Sequence, residues 1–257
     1  MRIGHLLAAF AALAVPISGA LAKDAALEKA VAAEHRSPNF VARDQARHPQ
    51  AVLEFVGLKP DMTVVEVSPG GGYWTEILAP YLHDKGTYYT ASSARGLENW
   101  QKKLDGNKAL YGNVKVTQFG GEIAPEGSAD LVLTFRNVHN WMGQGAAEDA
   151  FKAFYAALKP GGVLGVEEHR ARTDQPQDPK AANGYVREDY TIGLAEKAGF
   201  KLIGKSEVLA NPKDTKDWAR GVWTLPPTLA LGEQDREKYL AIGEADNFLL
   251  KFQKPGR

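Results

Sequence analysis

The chain has 257 residues, of which 31 are basic and 31 acidic, so its formal net charge at pH 7 is zero. This length suits one domain with a full hydrophobic core, and the sequence has no internal repeat or low-complexity tract. The neutral balance, without any basic run, argues against binding to a nucleic-acid backbone, which requires clustered Lys and Arg. We therefore expect a single domain whose partner is not a nucleic acid.

Residues 1–22 have the layout of a secretory signal peptide. A basic residue, Arg2, precedes an apolar run from Leu6 to Val15, and Ala20-Leu-Ala22 fits a small-x-small cleavage site. The apolar run is well short of the roughly 20 residues that a membrane-spanning helix requires. The absence of cysteine agrees with export to an oxidising compartment. The sequence thus predicts cleavage, no membrane span afterwards, and a periplasmic or secreted location.

Residues 23–57 are predicted to form a helical cap before the main domain. Residues 24–34 are rich in alanine with apolar side chains at helical spacing, and a second amphipathic helix ends at Gly57. The segment between these helices is dense in charged and polar side chains, including Arg47 and His48. A solvated helix face laced with ion pairs is the commoner explanation of such a segment.

A strand, a glycine-rich turn and a helix follow in direct succession. Thr63–Val67 is a short β-branched run typical of a buried strand, and Pro69 with Gly70–Gly72 breaks it. Apolar residues then recur at helical spacing, at Trp74, Ile77, Leu78, Tyr81 and Leu82. Without Cβ atoms a ligand can lie against the backbone, and the free N–H groups at the helix start can bind it. The same pattern also fits a plain structural turn.

The remaining segments alternate between strand and helix patterns. The predicted strands span residues 87–91, 114–119, 128–135, 163–166, 201–209 and 247–254, and the helical segments between them span residues 97–104, 146–158 and 184–198. This alternation predicts one three-layer α/β domain over residues 58–257. Residues 211–246 are an insertion before the last strand, with a helical piece near residues 233–242.

Polar side chains follow two of the predicted strands. The strand over residues 128–135 continues into Arg136-Asn-Val-His-Asn-Trp141, and the next strand ends in Glu167-Glu-His-Arg170. In a parallel doubly wound sheet, ligands bind beyond the carboxyl ends of the strands. A lone histidine is more often structural than catalytic, but polar residues gathered at a strand end have less need to be there for packing. Both segments are therefore candidate site segments.

Two motifs in this chain resemble those of the class I S-adenosylmethionine (SAM)-dependent methyltransferases. Val64-Val-Glu-Val-Ser-Pro-Gly-Gly-Gly72 is similar to the first motif, with Ser68 at the place of the usual first glycine. Leu158-Lys-Pro-Gly-Gly-Val-Leu164 is similar to the late motif, at the proper distance from the first. The first motif, with Arg136–Trp141, most resembles a group of exported bacterial predicted methyltransferases of unassigned substrate.

The resemblance implies a Rossmann-like methyltransferase fold, with a mostly parallel seven-stranded sheet whose antiparallel last strand inserts between strands five and six. It also implies that SAM is the cofactor. The cofactor-binding residues are then expected to be Glu66, Ser68, Gly70, Gly71, Gly72, Ser92, Glu122 and Asn137. Ser92 or Ser93 stands where the family has an acidic residue for the ribose hydroxyls, and this change would weaken binding by on the order of 1 kcal/mol or more. Glu122 falls where the family often has an acidic residue against the adenine amino group, and an exposed loop glutamate explains it equally well.

The resemblance also suggests which residues face the methyl acceptor. In related methyltransferases the helices before the core form a lid, which makes Arg47 and His48 candidates. His139, with Glu168 or His169, would face the acceptor as catalytic residues, because an imidazole can act as a base near neutral pH.

Three functions remain open from the sequence. The first is a SAM-dependent methyltransferase acting on a small or lipid-like acceptor in the cell envelope. The second is an exported methyltransferase-fold protein that has lost catalysis and binds a ligand, which the serine at position 92 favours. The third, a metal-dependent hydrolase, draws on the six histidines, but no H-E-x-x-H or paired spacing is present, so no metal site is predicted.

Two other motifs are rejected. Residues 199–206 match G-x-x-x-x-G-K-S, but this segment begins at a helix end and runs through a predicted strand, unlike a P-loop. A G-x-S-x-G nucleophile elbow is absent from the sequence. The acceptor and the oligomeric state stay open.

Overall fold

A computed structural model describes residues 24–256. The predicted signal peptide, residues 1–22, lies outside the described residues. Within residues 24–256 the strands are β1 Thr63–Val67, β2 Thr87–Ser92, β3 Lys115–Gln118, β4 Ala129–Phe135, β5 Leu158–His169, β6 Lys201–Ser206 and β7 Asn247–Gln253. The α-helices of the same range are α1 Ala25–Val31, α2 Pro38–Val41, α3 Asp44–Arg47, α4 Pro49–Val56, α5 Thr75–Leu82, α6 Leu97–Asp105, α7 Lys108–Tyr111, α8 Val138–Gln144, α9 Ala147–Ala157, α10 Glu188–Lys197 and α11 Arg236–Ile242. A short 3₁₀ helix spans Gly221–Thr224.

The seven strands form one sheet in the order β3-β2-β1-β4-β5-β7-β6. The first five strands of this order pair in parallel, and β7 lies antiparallel between β5 and β6. This is the predicted three-layer, doubly wound architecture with an antiparallel last strand. None of the helices within residues 24–256 is long and apolar enough to cross a bilayer.

Each face of the sheet carries its own hydrophobic core. Alternate residues of β1 point to opposite faces, so Val65 and Val67 join one core while Val64 joins the other. The first core is filled by α9 side chains such as Phe151, and the second by α5 side chains such as Ile77. Each fully buried side chain of this size contributes roughly 1.5–3 kcal/mol. The two cores hold the helices on the sheet and fix where the strands end.

The N-terminal helices are attached to the sheet domain through polar contacts. Ser37 donates hydrogen bonds from its backbone N–H and its hydroxyl to Glu76 on α5, at 2.7 and 2.8 Å. Arg43 donates two hydrogen bonds to Glu244, 201 residues further along the chain, at 2.6 and 2.8 Å. The segment between α1 and α4 therefore lies over the carboxyl edge of the sheet.

Some element boundaries differ from the sequence predictions. β5 begins at Leu158, because Leu158 pairs with Ala129 and the Lys-Pro-Gly-Gly segment hydrogen-bonds to Lys254 near the chain end. β6 ends at Ser206 rather than at residue 209, because a backbone hydrogen bond of 3.0 Å closes a turn over residues 207–210. The segment after β4 forms helix α8, which the sequence did not predict.

Candidate functional site

The carboxyl ends of three neighbouring strands meet at one edge of the sheet. Val67, the last residue of β1, pairs with Ala91 in β2 and with Thr134 in β4. Ser68 and Ser92 therefore lie side by side where the chain leaves β1 and β2. β1 lies at the point where the strand order reverses, which is where ligands bind in sheets of this kind.

The glycine-rich loop after β1 has a left-handed backbone at Ser68, Gly70 and Gly72. A Cβ atom added to Gly70 would meet no heavy atom within 4 Å. A Cβ atom on Gly72 would lie 2.7 Å from Cε of Lys103 and 3.1 Å from the Trp100 ring. Gly70 thus borders open space, whereas Gly72 allows the loop to pack against α6.

A cavity of about 350 Å³ lies beside this loop, and we call it the loop cavity. It is lined by Ser68, Pro69, Gly70, Ser92, Ser93, Gly96, Asn99, Trp100, Lys103 and Asn137. Four of the residues predicted to bind a cofactor, Ser68, Gly70, Ser92 and Asn137, therefore border one cavity. The contribution of α6 to its wall was not predicted, because Trp100 follows the spacing of a core residue.

The other predicted cofactor residues lie outside the lining of the loop cavity. Glu66 and Gly71 border a second cavity, and Gly72 packs against Trp100. Glu122 is exposed in the connection between β3 and β4. Helix α6, by contrast, lines the loop cavity with Asn99, Trp100 and Lys103.

Asn137 connects the ends of β1 and β4. Its side-chain amide donates to the carbonyl oxygens of Val67 and Phe135, at 3.3 and 3.1 Å. It also borders both cavities. Asn137 therefore holds the start of the glycine-rich loop against the segment that leaves β4.

The second cavity, of about 220 Å³, adjoins the loop cavity, and we call it the arginine pocket. It is lined by Phe40, Arg43, Arg47, Glu66, Ser68, Pro69, Gly70, Gly71, Tyr73, Trp74, Phe135, Arg136 and Asn137. Its walls combine aromatic rings with three guanidinium groups. The predicted lid residue Arg47 lies in this pocket, whereas His48 is exposed.

Glu66 is a buried carboxylate in the wall of the arginine pocket. Its Oε2 accepts hydrogen bonds from the hydroxyl groups of Thr75, at 2.7 Å, and Tyr88. Burial, opposed by these hydrogen bonds, raises the pKa of Glu66. Because alternate β1 residues share a face, Glu66 points to the side of the sheet that carries the N-terminal helices.

Arg47 is 4% exposed, and its guanidinium lies over two aromatic rings. Its Cζ is 4.2 Å from the centroid of Tyr73 and 5.0 Å from that of Trp74. Its Nη2 atom lies 3.5 Å from a carboxylate oxygen of Glu167. Burial, together with the nearby charge of Arg136, lowers the pKa of Arg47 to about 10, so the group stays protonated at neutral pH.

The other two arginines of the pocket share one carboxylate. Glu244, from the insertion before β7, accepts the two hydrogen bonds from Arg43 and one of 2.8 Å from Arg136. Burial acts against ionisation, but these arginines outweigh it and lower the pKa of Glu244. The insertion thereby contributes Glu244 to the site, a residue that the sequence did not single out.

The three predicted catalytic residues form a buried cluster, which we call the histidine group. Nδ1 of His139 lies 3.0 Å from Oε1 of Glu168, and Nδ1 of His169 lies 2.7 Å from Oδ1 of Asn247. Backbone N–H groups of both histidines also donate to Glu168. The ring of Trp223, from the insertion, approaches His139 with centroids 6.0 Å apart.

The histidine group is electrostatically coupled. Burial acts against ionisation of Glu168, but the adjacent His139 outweighs it and lowers the pKa of Glu168. Burial lowers the pKa of His169 to about 3, so this ring is neutral at physiological pH. Ligand atoms of His139, Glu168 and His169 lie within 4.8 Å of one another, so the cluster has the donor types of a metal site.

The arginine pocket and the histidine group lie on opposite sides of the end of β5. Successive strand residues point to opposite faces, so Glu167 approaches Arg47 while Glu168 approaches His139. The lining of the two cavities reaches Asn137, two positions before His139. His139, Glu168 and His169 thus lie close to one another, next to the cavities rather than in their walls.

Comparison with sequence families finds one match. Residues 65–166 match the family described as "Methyltransferase domain". No curated protein matches the chain at a significant level. The matched residues run from β1 to β5 and include the loop after β1 and the segment after β4.

Several solved structures share the fold. A SAM dependent methyltransferase from Aquifex aeolicus is similar at 19% identity and a TM-score of 0.57, over 83% of this chain and 93% of that chain. A putative sarcosine dimethylglycine methyltransferase from Galdieria sulphuraria is similar at 11% identity and a TM-score of 0.57, over 85% and 87%. The [4+2]-cyclase SpnF is similar at 17% identity and a TM-score of 0.57, over 82% and 81%.

The sheet order and these similarities confirm the predicted Rossmann-like methyltransferase fold. At such identities the solved structures define the fold and leave the reaction to be argued from the site, because a cyclase stands among the methyltransferases that share this fold.

Proposed function

We propose that this protein is a SAM-dependent methyltransferase that acts on a small or lipid-like acceptor. The observation that carries the proposal is the loop cavity, which lies open beside Gly70 at the switch point of a methyltransferase fold. This space is bordered by the ends of β1, β2 and β4, where ligands bind in sheets of this kind. The family match over residues 65–166 supports the same function.

The residues around the loop cavity fit this cofactor. The bare backbone at Gly70 admits a ligand that a Cβ atom would exclude. The hydroxyl of Ser92 and the amide of Asn99 border the cavity and can form hydrogen bonds with ribose hydroxyls. Glu66, in the adjoining pocket, can accept a hydrogen bond from an ammonium group.

When bound, SAM would supply a methyl group that is already activated for direct displacement from its sulfonium by the acceptor. The protein's part is to align the acceptor and exclude water. We assign the acceptor's proton to Nε2 of His139. Glu168 accepts a hydrogen bond from Nδ1–H in the neutral ring, which leaves the Nε2 lone pair free. Glu168 and His169 then act as positioning residues.

We further propose that the protein works in the cell envelope. The signal-peptide layout of residues 1–22 and the similarity of Arg136–Trp141 to the exported group support this location. Retention of residues 1–22 on the protein recovered from its native host would contradict it.

A second function, a ligand-binding module without catalysis, is favoured by one observation. Ser92 is the buried residue at the end of β2, and it provides a hydroxyl where a carboxylate would grip the ribose. A site that needs only weak or altered ligand binding could accept this change.

Calorimetry and isotope transfer distinguish these functions. S-adenosylhomocysteine should bind the purified protein with a saturable isotherm, and failure to bind at millimolar ligand would refute the cofactor assignment. Methyl-tritiated SAM is then incubated with the protein and with lipid and small-molecule extracts of the host. Transfer that is lost in His139→Gln, with cofactor affinity retained, supports the enzyme. Binding without transfer to any fraction supports the module.

A further inference from the structure

The arginine pocket contains hydrogen-bond donors that lack acceptors. Within residues 24–256, Nε of Arg47 and Nε1 of Trp74 are buried and have no hydrogen-bond partner. Both residues line the pocket. A buried donor without an acceptor loses its bonds to water without replacement, so native structures rarely retain two in one place. Two such donors around one cavity indicate that a ligand with a hydrogen-bond acceptor binds there.

The charges of the pocket point to the sign of that group. Arg43, Arg47, Arg136 and Glu66 border the cavity, and Glu167 and Glu244 lie against the arginines. Three guanidinium groups and one carboxylate therefore line the cavity itself. Arg36 and Asp44 lie beside this cluster but form a closed pair of two hydrogen bonds, at 2.6 and 2.8 Å, and leave the balance unchanged.

Two neighbouring carboxylates do not satisfy these donors. Glu167 lies 3.5 Å from Nη2 of Arg47 and 3.7 Å from Nε of Arg136, and both of its oxygens lack a hydrogen-bond donor within residues 24–256. Glu66 already accepts from Thr75 and Tyr88, and burial favours its neutral form. The site thus keeps a guanidinium and an indole N–H for an outside ligand.

The cofactor of the proposed function would not neutralise the three guanidinium groups that line the cavity. SAM carries a sulfonium, an ammonium and a carboxylate, and hence one net positive charge. Its binding would increase the positive charge at the site, whereas an anionic acceptor would offset it. The aromatic walls formed by Phe40, Tyr73, Trp74 and Phe135 suit an apolar body attached to the anion.

We propose that the arginine pocket binds the carboxylate of the methyl acceptor, whose apolar body lies against the aromatic walls. This inference rests on the proposed function and narrows its substrate class to carboxylic acids that extend from the arginine pocket past Asn137 towards His139. Arg47 offers the planar fork that binds a carboxylate through two parallel hydrogen bonds, and Trp74 offers a third donor.

The test uses benzoate and its neutral isostere benzamide as probes of the purified full chain. Calorimetric titrations are run at constant ionic strength, with and without S-adenosylhomocysteine. Benzoate should bind at least about tenfold more tightly than benzamide, because only the carboxylate offers an ionised acceptor to the guanidinium. Arg47→Gln should remove this preference, whereas the exposed Arg220→Gln should retain it. Equal affinities for the two probes in the wild-type protein would overturn the proposal.

A second variant allows the proposal to be tested even if Arg47→Gln does not fold. Trp74→Phe removes the indole donor together with part of the aromatic wall, so it should weaken benzoate binding several-fold more than benzamide binding. Melting temperatures identify any variant that does not fold. Unchanged benzoate affinity in a folded Trp74→Phe variant and in a folded Arg47→Gln variant would also overturn the proposal.

A further experiment tests whether the carboxylate that binds in the arginine pocket belongs to the acceptor or to the cofactor. S-adenosylhomocysteine has an amino-acid carboxylate, and 5′-methylthioadenosine lacks it. If Arg47→Gln weakens the first ligand about tenfold and leaves the second unchanged, the pocket serves the cofactor and the proposal fails. Preference for benzoate that depends on Arg47 supports the pocket even if neither nucleoside binds, in which case the proposed function fails separately.

Discussion

His139 and Glu168 are 29 residues apart in sequence, yet Nδ1 of His139 lies 3.0 Å from Oε1 of Glu168. Glu168 also accepts hydrogen bonds from the backbone N–H groups of His139 and His169, at 3.1 and 2.8 Å. One buried carboxylate therefore joins the first turn of α8 to the end of β5. The same contact fixes the orientation of the imidazole ring, because Nδ1–H of the neutral ring has a single acceptor to face.

Replacement of Glu168 should destabilise the fold. In Glu168→Gln the amide keeps one acceptor oxygen but loses the charge and places an NH₂ group against donors, so the free energy of unfolding should fall by about 1–3 kcal/mol. Urea denaturation measures this change. Glu98→Gln is the matched control, because Glu98 pairs with Lys102 at an exposed position of α6. Equal unfolding free energies for the two variants would contradict a stabilising role of Glu168.

The buried imidazole of His169 should make stability depend on pH. Burial lowers its pKa from 6.5 to about 3, so between these values the unfolded chain takes up a proton that the folded chain does not. The contribution of neutral His169 to the free energy of unfolding is complete above pH 6.5. It is lost as pH falls towards 3, at up to about 1.4 kcal/mol per pH unit.

The variant His169→Asn isolates this effect. Its amide N–H can replace Nδ1–H as the donor to Asn247, and it does not titrate. Unfolding free energies of both proteins, measured from pH 7 to pH 4, should diverge, with the wild-type protein losing more stability. Parallel curves would show that His169 is protonated in the folded state.

The fold could be predicted because its signals are local. The β-branched run at Thr63–Val67, the glycines after it and the amphipathic helices each specify their own element, and the alternation of elements leaves few ways to order a parallel sheet. Helix α8 was missed because His139 and Asn140 resemble an irregular polar segment. In its first turn the backbone N–H of His139 donates to the carboxylate of Glu168, which lies in a distant part of the sequence.

The candidate site could be predicted only where it follows the strand ends. Ser68, Ser92 and Asn137 line the loop cavity because each directly follows or ends a strand at the switch point. Glu244 was missed because it lies in an insertion with no periodic pattern, and only the folded chain brings it to Arg43. The adjacent strand residues Glu167 and Glu168 point to opposite faces of the sheet. The sequence therefore contained the information that the arginine pocket and the histidine group lie on opposite sides of β5.

A carboxylate at the end of β2 should improve cofactor binding. Ser92 is buried in the wall of the loop cavity, and Asp at this position could accept charge-assisted hydrogen bonds from ribose hydroxyls. Ser92→Asp should bind S-adenosylhomocysteine about fivefold more tightly, or about 1 kcal/mol, by calorimetry. Ser93→Asp, at the exposed neighbouring position, should have a smaller effect. Weaker binding by Ser92→Asp than by Ser93→Asp would place the ribose elsewhere.

The bare backbone of Gly70 can be tested against a glycine of the same conformation. Gly70 has a φ of 59° and Gly232, in the insertion, has a φ of 62°. A Cβ atom on either residue would meet nothing within 4 Å. Alanine at each position should therefore cost a similar amount of stability, about 1–2 kcal/mol, because of the left-handed backbone.

The two variants should differ only in ligand binding. Gly70→Ala places a methyl group into the loop cavity, so its affinity for S-adenosylhomocysteine should fall by at least about tenfold, which corresponds to about 1.4 kcal/mol. Gly232→Ala should bind as the wild-type protein does. Calorimetry and urea denaturation on both variants separate the ligand effect from the conformational cost. If Gly70→Ala keeps full affinity at the expected loss of stability, the space above Gly70 is not where the cofactor lies.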